Sequence, residues 1–492
     1  MTSHPSAWTG PHGSTPYGAS VDGGRRRVRR RLPLGSRLPF WACLALSFGL
    51  FESSLPAARA HGIQAGLVQA SPKTPASAPT RVLESLLELD LSAGAPGGPG
   101  LALMATKVVT CAEIGPGYID HGVVLIRDGL IQAVGARSEL SVPEGYLEHD
   151  LGSFWLMPGM IDLHSHVGGS GDINDAVLQA NPELRVSPAV IPGNRALERA
   201  RAAGVTSVLF IPGSATTVGG QGVVLSTAGE RYEQMLLRGQ GALKVAQADN
   251  PKAWGYNMQR GMLNWQIREV LRRGRAYGRR VLEAETGGGA KPRHDLMFEV
   301  FPALISGRAQ VAAHTQQVQV VLATIQIIKV ELGIPVFIDH GDFDSFKIAS
   351  VAAREGVPAI MGPRNFSSKL PSRGVDHDGR HEGTAVGFQH AGHPQVGFNT
   401  DAPVIPAEEL FLQSTVAARF GFWDDRQQLV RGLTCVPAKT AGLDGERGSL
   451  EPGKLADLVA VSGHPTDPRS WVSQVWTGGR CTYDTRSGRR LF

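Results

Sequence analysis

The sequence predicts an α/β fold, a (β/α)8 TIM barrel carrying a small β-sandwich built from the N- and C-terminal segments. Three features of the chain predict it. Apolar strand-like runs alternate with helical stretches across the middle of the 492 residues, the pattern of a parallel sheet wrapped in helices. Short β-like runs without intervening helices occupy both ends. Polar residues of metal-binding type recur where apolar runs stop, on the face where such a barrel assembles its site. No Gly-x-Gly-x-x-Gly opens a helix, which disfavours a doubly wound dinucleotide fold.

Residues 1–60 read as a signal peptide. Arg25 to Arg31 form a basic region, residues 39–50 a short apolar run, and Ala58-Arg59-Ala60 a small-residue cleavage site. Cleavage after Ala60 would release an exported chain, periplasmic or extracellular, with no stable membrane anchor; the alternative is an uncleaved anchor. The same segment explains the charge. The formal net charge is +5, but eight of the 49 basic and two of the 44 acidic residues lie within residues 1–60. The 41 basic and 42 acidic residues that remain nearly cancel, so nothing argues for a nucleic-acid partner. Cys43 belongs to the apolar run, leaving Cys111, Cys435 and Cys481, an odd set with no C-x-x-C and no disulfide framework. Residues 61–100, rich in Ala, Pro, Ser and Gly, read as a flexible linker with one short helix at 81–89.

Order is expected from Leu101. β-like runs at 103–111, 121–127 and 130–134, the last two joined by an Asp128-Gly129 turn, are matched by runs at 458–461, 472–476 and 480–483. Residues 101–157 and 444–492 are therefore read as two parts of one sandwich, and 158–443 as the barrel. Barrel strands are expected at 156–163, 206–211, 242–246, 310–313, 335–339, 358–361 and 395–399, with 223–226 a further candidate. Helices are expected at 195–203, 264–279, 318–332 and 343–355. Residues 370–394, with His377, His381, His390 and His393, read as a solvated loop or, alternatively, a lid.

The strongest chemical signal is the segment from Met157 to His166. On a strand, residues i and i+2 face the same way, so His164 and His166 point together at the end of an apolar run. Two convergent imidazoles are half of a metal site. His314, His340 and Asp401 close three later runs in the same manner. Singly, each histidine reads more simply as a buried structural residue; four histidines and an aspartate at four strand ends do not. Asp162 is a candidate to orient a ligand histidine, with a structural hydrogen-bonding role as the plainer reading. Gln221, Arg364 and Asn365 are candidates for substrate contact, each with a structural hydrogen-bonding role as the plainer reading.

From about Leu101 to the C-terminus the chain resembles the amidohydrolase superfamily of metal-dependent hydrolases, and within it the imidazolonepropionase-like group. The resemblance rests on Pro158 to His166, Gly204-Val205-Thr206, Gly219-Gly220-Gln221-Gly222, Asn250-Pro251-Lys252, Ile338 to Gly341, Thr400-Asp401-Ala402-Pro403 and Gly448 to Leu458. It implies metal ligands at His164, His166, His314 and His340, and at Asp401 a residue that is both ligand and general base. It also places Lys244 where many members carry a carbamylated lysine bridging two metals; an ordinary strand-end lysine paired with a carboxylate is the alternative. One departure stands out. Relatives often carry H-x-H where this chain has Ala312-Ala313-His314.

The expected function follows from these residues. It is exported, metal-dependent hydrolysis of a C–N bond in a small-molecule substrate, with one or two divalent ions, zinc by ligand type. Deamination and a catalytically silent metal-binding barrel are the rivals. Assembly into a homo-oligomer is left open.

Overall fold

The computed structural model describes residues 92–171, 173–248, 250–253, 258–363, 366–367 and 382–486. The expected signal peptide, residues 61–91 of the expected linker, and Arg364 and Asn365 lie outside these residues. Eighteen strands follow in chain order. The first five are β1 (Gly100–Val109), β2 (Tyr118–Arg127), β3 (Leu130–Ala136), β4 (Tyr146–Asp150) and β5 (Trp155–Pro158). Next come β6 (Met160–Ser165), β7 (Val205–Phe210), β8 (Val218–Ser226), β9 (Leu236–Ala246), β10 (Val311–Thr315), β11 (Val336–His340) and β12 (Ala359–Met361). A two-residue pair, β13 (Phe366–Ser367) and β14 (Glu382–Gly383), precedes β15 (Val396–Phe398), β16 (Leu458–Val461), β17 (Val472–Thr477) and β18 (Arg480–Asp484).

One eight-stranded sheet runs β15-β12-β11-β10-β9-β8-β7-β6. Its two ends meet through a parallel bridge between Ser165 and Ala402, reinforced by His166 N donating to Ala402 O at 2.8 Å. That contact closes the barrel. Residues of alternate parity fall into two cores, as a closed strand ring requires. Leu243, Val245, Val311, Ala313, Val336 and Ile338 pack with helical residues such as Leu271, Phe301 and Ile328. Leu209, Val224, Ala242, Ala312, Phe337 and Ile360 form a separate cluster.

The expectation of a wholly parallel sheet is corrected at one strand. β8 runs antiparallel to both β7 and β9. Chain length dictates this: only residues 211–217 separate β7 from β8, too few for the dozen-residue crossover that a parallel pair needs. Residues 223–226, the further strand candidate in the sequence, thus belong to the strand β8. The single strand expected at 156–163 is in fact two, in different sheets. Gly159 breaks it: its N–H bonds Asp457 O at 2.9 Å, and a Cβ there would lie 2.3 Å from Thr206 Oγ1.

The second sheet takes strands from both chain ends, in the order β18-β17-β16-β5-β1-β2-β3, with β4 also on β1. β1 pairs β4 over its first half and β5 over its second, so the sheet branches there. Leu101, Leu103, Val124, Ile126, Leu458 and Trp476 meet in one core between its limbs, the small sandwich that the sequence predicts.

Helices cover the barrel roughly where expected, with two changes of type. The 318–332 stretch is α-helical over Val318–Thr324 and π-helical over Ile325–Glu331. The 343–355 stretch is a 3-10 turn, Ser345–Ile348, followed by the helix Ala349–Arg354. The 370–394 loop is corrected in its described part. Thr384–His390 is a helix with Phe388 buried, His393 Nε2 bonds Val357 O at 2.9 Å, and His390 stacks on Trp423. Among the described residues no helix is long and apolar enough to cross a membrane.

A buried ion pair ties the two sheets together. Arg447 Nη1 donates to Asp457 Oδ2 at 2.8 Å and to Ser207 Oγ of β7 at 3.1 Å, while Asp457 Oδ1 accepts from Gly478 N at 2.8 Å. Removing the carboxylate would strand a buried cation. Asp457→Ala is expected to destabilise the protein by about 3–5 kcal/mol, read as a fall in the denaturant midpoint. A midpoint within experimental error of the parent would show that this pair does not hold the junction.

Candidate metal centre

The site lies where β6, β9, β10, β11 and the segment after β15 end. His164 and Lys244 are wholly buried, His340 is 1% and His314 4% exposed. His166 and Asp401 are partly exposed and face the opening. The structure therefore brings together all six residues singled out in the sequence.

The imidazoles share one arrangement: each Nδ1 is anchored to the protein and each Nε2 points inward. His166 Nδ1 lies 2.8 Å from Ile211 O, and His340 Nδ1 lies 2.6 Å from Gly362 O. A carbonyl can only accept, so both Nδ1 atoms carry the proton and both Nε2 atoms present lone pairs. His314 Nδ1 bonds Ser214 Oγ at 2.8 Å. His164 Nδ1 bonds Asp339 Oδ2.

On the inner side, His164 Nε2 and His166 Nε2 are 3.0 Å apart, and Asp401 Oδ1 lies 3.3 and 3.2 Å from them. Asp401 Oδ2 is 3.9 Å from His340 Nε2. The ring centres of His340 lie 4.5 Å from His164 and 4.3 Å from His314. Lys244 Nζ approaches His164 Nε2 at 3.1 Å and Asp339 Oδ2 at 4.0 Å.

This donor set fits a divalent cation. The Nε2 atoms of His314 and His340 are buried with no hydrogen-bond partner, which is costly unless something electropositive meets them. His164, His166 and Asp401 offer one ligand atom each within 4.8 Å of one another, as do His164, Asp339 and His340. Nitrogen and carboxylate donors of this kind suit zinc and its neighbours.

Electrostatics follow the packing. Burial lowers His166 to about 4 and holds His314 well below its ordinary value; His340 is lowered for the same reason. Neutral imidazole, the form that binds metal, is thereby favoured at all three. Burial would raise Asp401, but His164 and His340 outweigh it and hold the carboxylate low and ionised. Asp339 shows the same balance, settling at about 2. Burial also lowers Lys244.

Two backbone features aim the donors. His340 has φ 72° and Asp401 φ 51°, left-handed conformations that non-glycine residues adopt at a cost of order 1–3 kcal/mol. On regular β11, alternation would put Asp339 on the Phe337 face and turn His340 away. The left-handed twist brings His340 to the site as well. Strand alternation alone thus points Asp339 toward the site and His340 away from it, so the signal for Asp339 was available in the sequence, and His340 reaches the site only through the left-handed turn.

Asp162 takes the structural role rather than orienting a histidine ring. Its Oδ1 accepts from His164 N at 3.1 Å and Thr400 N at 3.3 Å, and Oδ2 accepts from Thr400 Oγ1, so it latches the first strand to the last. Burial pushes it up to about 6. Gln221 takes the structural role: its buried amide donates to Pro182 O at 3.0 Å. Ala312 lies in register opposite Lys244 on β9, in the apolar cluster beneath the site.

No family model matches the chain. The crystal structure of an amidohydrolase from Thermotoga maritima is similar with a TM-score of 0.68 and 30% identity, over 78% of this chain and 100% of that one. Amidohydrolase tasK of Hapsidospora irregularis is 25% identical over 452 residues, 79% of this chain. This chain spans only 44% of that relative's length. An imidazolonepropionase of Pseudomonas aeruginosa is 27% identical over 385 residues, 70% of this chain and 88% of that protein. The chain belongs to the amidohydrolase superfamily, in its imidazolonepropionase-like group.

The inward donors carry a direct expectation. Purified protein loaded with zinc should hold one to two equivalents by elemental analysis, and His164→Ala should lose most of it. Unchanged metal content in that variant would remove His164 from the centre.

Proposed function

We propose that the protein is an exported metal-dependent amidohydrolase that hydrolyses the C–N bond of an amide, cyclic amide or imidazolone-like small molecule. The observation that carries this reading is the approach of His164 Nε2, His166 Nε2 and Asp401 Oδ1 within 3.3 Å of one another at the barrel mouth. His164, His166, His314, His340 and Asp401 would hold one or two divalent ions. Such an ion supplies Lewis acidity: it acidifies water toward neutrality and polarises a carbonyl.

The chain's own groups do the rest. Asp401 is ionised, partly open to the mouth and beside the histidine pair, so it is placed to accept a proton from the attacking water. Once protonated, it returns that proton to the leaving nitrogen, and water is thereby divided between the two products. The Nδ1 anchors keep His166 and His340 from turning, so their Nε2 atoms need no reorganisation during the reaction. The buried walls around His164, His314 and Lys244 restrict solvent to the Asp401 side.

Lys244 is the second part of the reading. Its ammonium meets an imidazole nitrogen at 3.1 Å in a site without solvent, and burial favours the neutral amine. A neutral amine adds carbon dioxide, forming a carbamate and releasing one proton; counted from the ammonium, two protons leave, and a cationic group becomes an anionic oxygen donor. In ¹³C-bicarbonate the wild type should show a carbamate carbon resonance that Lys244→Arg lacks. Identical spectra would leave Lys244 a plain buried lysine and favour a mononuclear site.

The general-base assignment is tested by Asp401→Asn, which preserves shape but cannot take the proton. Turnover on any accepted amide should fall by roughly 10²–10⁴-fold, with the melting temperature little changed. A fully active variant would sink the assignment.

A further inference from the structure

Asp339 has no role in the mechanism above, yet it is the most enclosed carboxylate of the site. It is fully buried, and both of its oxygens are engaged. Oδ2 faces His164 Nδ1. Oδ1 accepts from Asn399 Nδ2 at 3.2 Å, and that same amide donates to Ile360 O of β12 at 2.9 Å. His164 on β6, Asp339 on β11 and Asn399 after β15 thus form a chain of contacts across the barrel.

The contacts along this chain assign the roles. Asn399 Nδ2 can only donate, so Asp339 Oδ1 accepts from it, and the other carboxylate oxygen, Oδ2, meets His164 Nδ1 as an acceptor. His164 Nδ1 then carries the proton. The opposite nitrogen, Nε2, is the one that lies 3.0 Å from His166 Nε2 and 3.3 Å from Asp401 Oδ1. His164 differs from the other histidines in this respect. His166 and His340 are anchored by backbone carbonyls and His314 by a hydroxyl, which are neutral acceptors. Only His164 is backed by a charge.

We propose that Asp339 is a positioning residue that fixes the tautomer and ring angle of His164, keeping Nε2 turned inward and raising its strength as a donor, with Asn399 holding Asp339 in turn. This rests on the reading of the site as a metal centre. A carboxylate behind a metal-binding histidine orients the ring and increases its basicity, and losing such a partner typically weakens metal binding 10–100-fold. The rival role, Asp339 as itself a ligand together with His164 and His340, makes a different prediction: loss of stoichiometry.

The test compares wild type with Asp339→Asn, which keeps volume but replaces one acceptor oxygen by a donor. Cobalt(II) and zinc(II) affinity are read by chelator competition, alongside the number of ions bound and the cobalt absorption spectrum per ion. Expected for Asp339→Asn are an affinity lower by about 10–100-fold, an unchanged ion count and altered cobalt bands. A purely structural role would lower the melting temperature and leave affinity and spectrum of the folded fraction unchanged, which would overturn the assignment. Loss of one whole ion would overturn it in favour of direct ligation. A wild type that binds no metal would overturn the metal reading and this assignment with it, whereas normal wild-type binding with no change in the variant overturns this assignment alone. Should Asp339→Asn fail to fold, nitrogen NMR of histidine-labelled wild type decides. The proposal requires a proton on His164 Nδ1, identified by its loss in His164→Ala, and a bare Nδ1 would refute it.

Discussion

The structure depends on how its inward-facing imidazoles are held. Each of four histidines uses Nδ1 to grip the protein, so that Nε2 is left facing the others. Pointing lone pairs at one another in a dry pocket is unfavourable without a cation. The anchors make that arrangement permanent: Ile211 O and Gly362 O are backbone atoms of the residues that directly follow the neighbouring strands β7 and β12, and they cannot rotate away as a side chain can. Much of the surrounding architecture serves to place them. The Asp162–Thr400 latch and the Ser165–Ala402 bridge join the last strand to the first, bringing Asp401 against His164 and His166. A barrel open at this seam would have the residues but not the site.

The cost of that arrangement appears in the backbone. His340 and Asp401 both adopt left-handed conformations, and both do so where a strand gives way to a loop. Strain of this kind persists only when the surroundings over-determine it. Here β11 is paired on both sides, and the Asp401 segment is fixed by Val404 N bonding Asp401 O at 2.8 Å and Ala402 N bonding Thr400 Oγ1 at 3.1 Å. Rigid strands thus carry the deeply buried donors, while Asp401, the proposed proton carrier, sits on the loop nearest the opening.

What was legible in the sequence follows from how local each signal is. Strand-helix alternation and polar residues at strand ends are short-range patterns, and they pointed to the barrel and to His164, His166, His314, His340 and Asp401, whereas Lys244 came only from the family resemblance. The direction of β8 was also legible in principle, because the seven residues before it leave no room for a crossover. Asp339 was legible as a position, because alternation continues the Phe337 face to it, but its partners were not: His164 on β6 and Asn399 are far away in sequence. His340 reaches the site through a left-handed turn that alternation does not show. Asp162 bonds His164 through the backbone N rather than through the ring, and its second partner, Thr400 on the opposite end of the sheet, is too far away in sequence to be read locally. The split at Gly159 was hidden for a similar reason: only the approach of Thr206 shows why the residue there lacks a side chain.

The central claim is that donors from different strands hold an ion between them. It is tested most directly by anomalous diffraction at the zinc absorption edge from crystals of the zinc-loaded protein. The account predicts a peak within bonding distance of His164 Nε2, His166 Nε2 and Asp401, with the Nδ1 anchors unchanged. A zinc-loaded crystal with no anomalous peak among these residues, or with its only peak at a surface histidine, would contradict it.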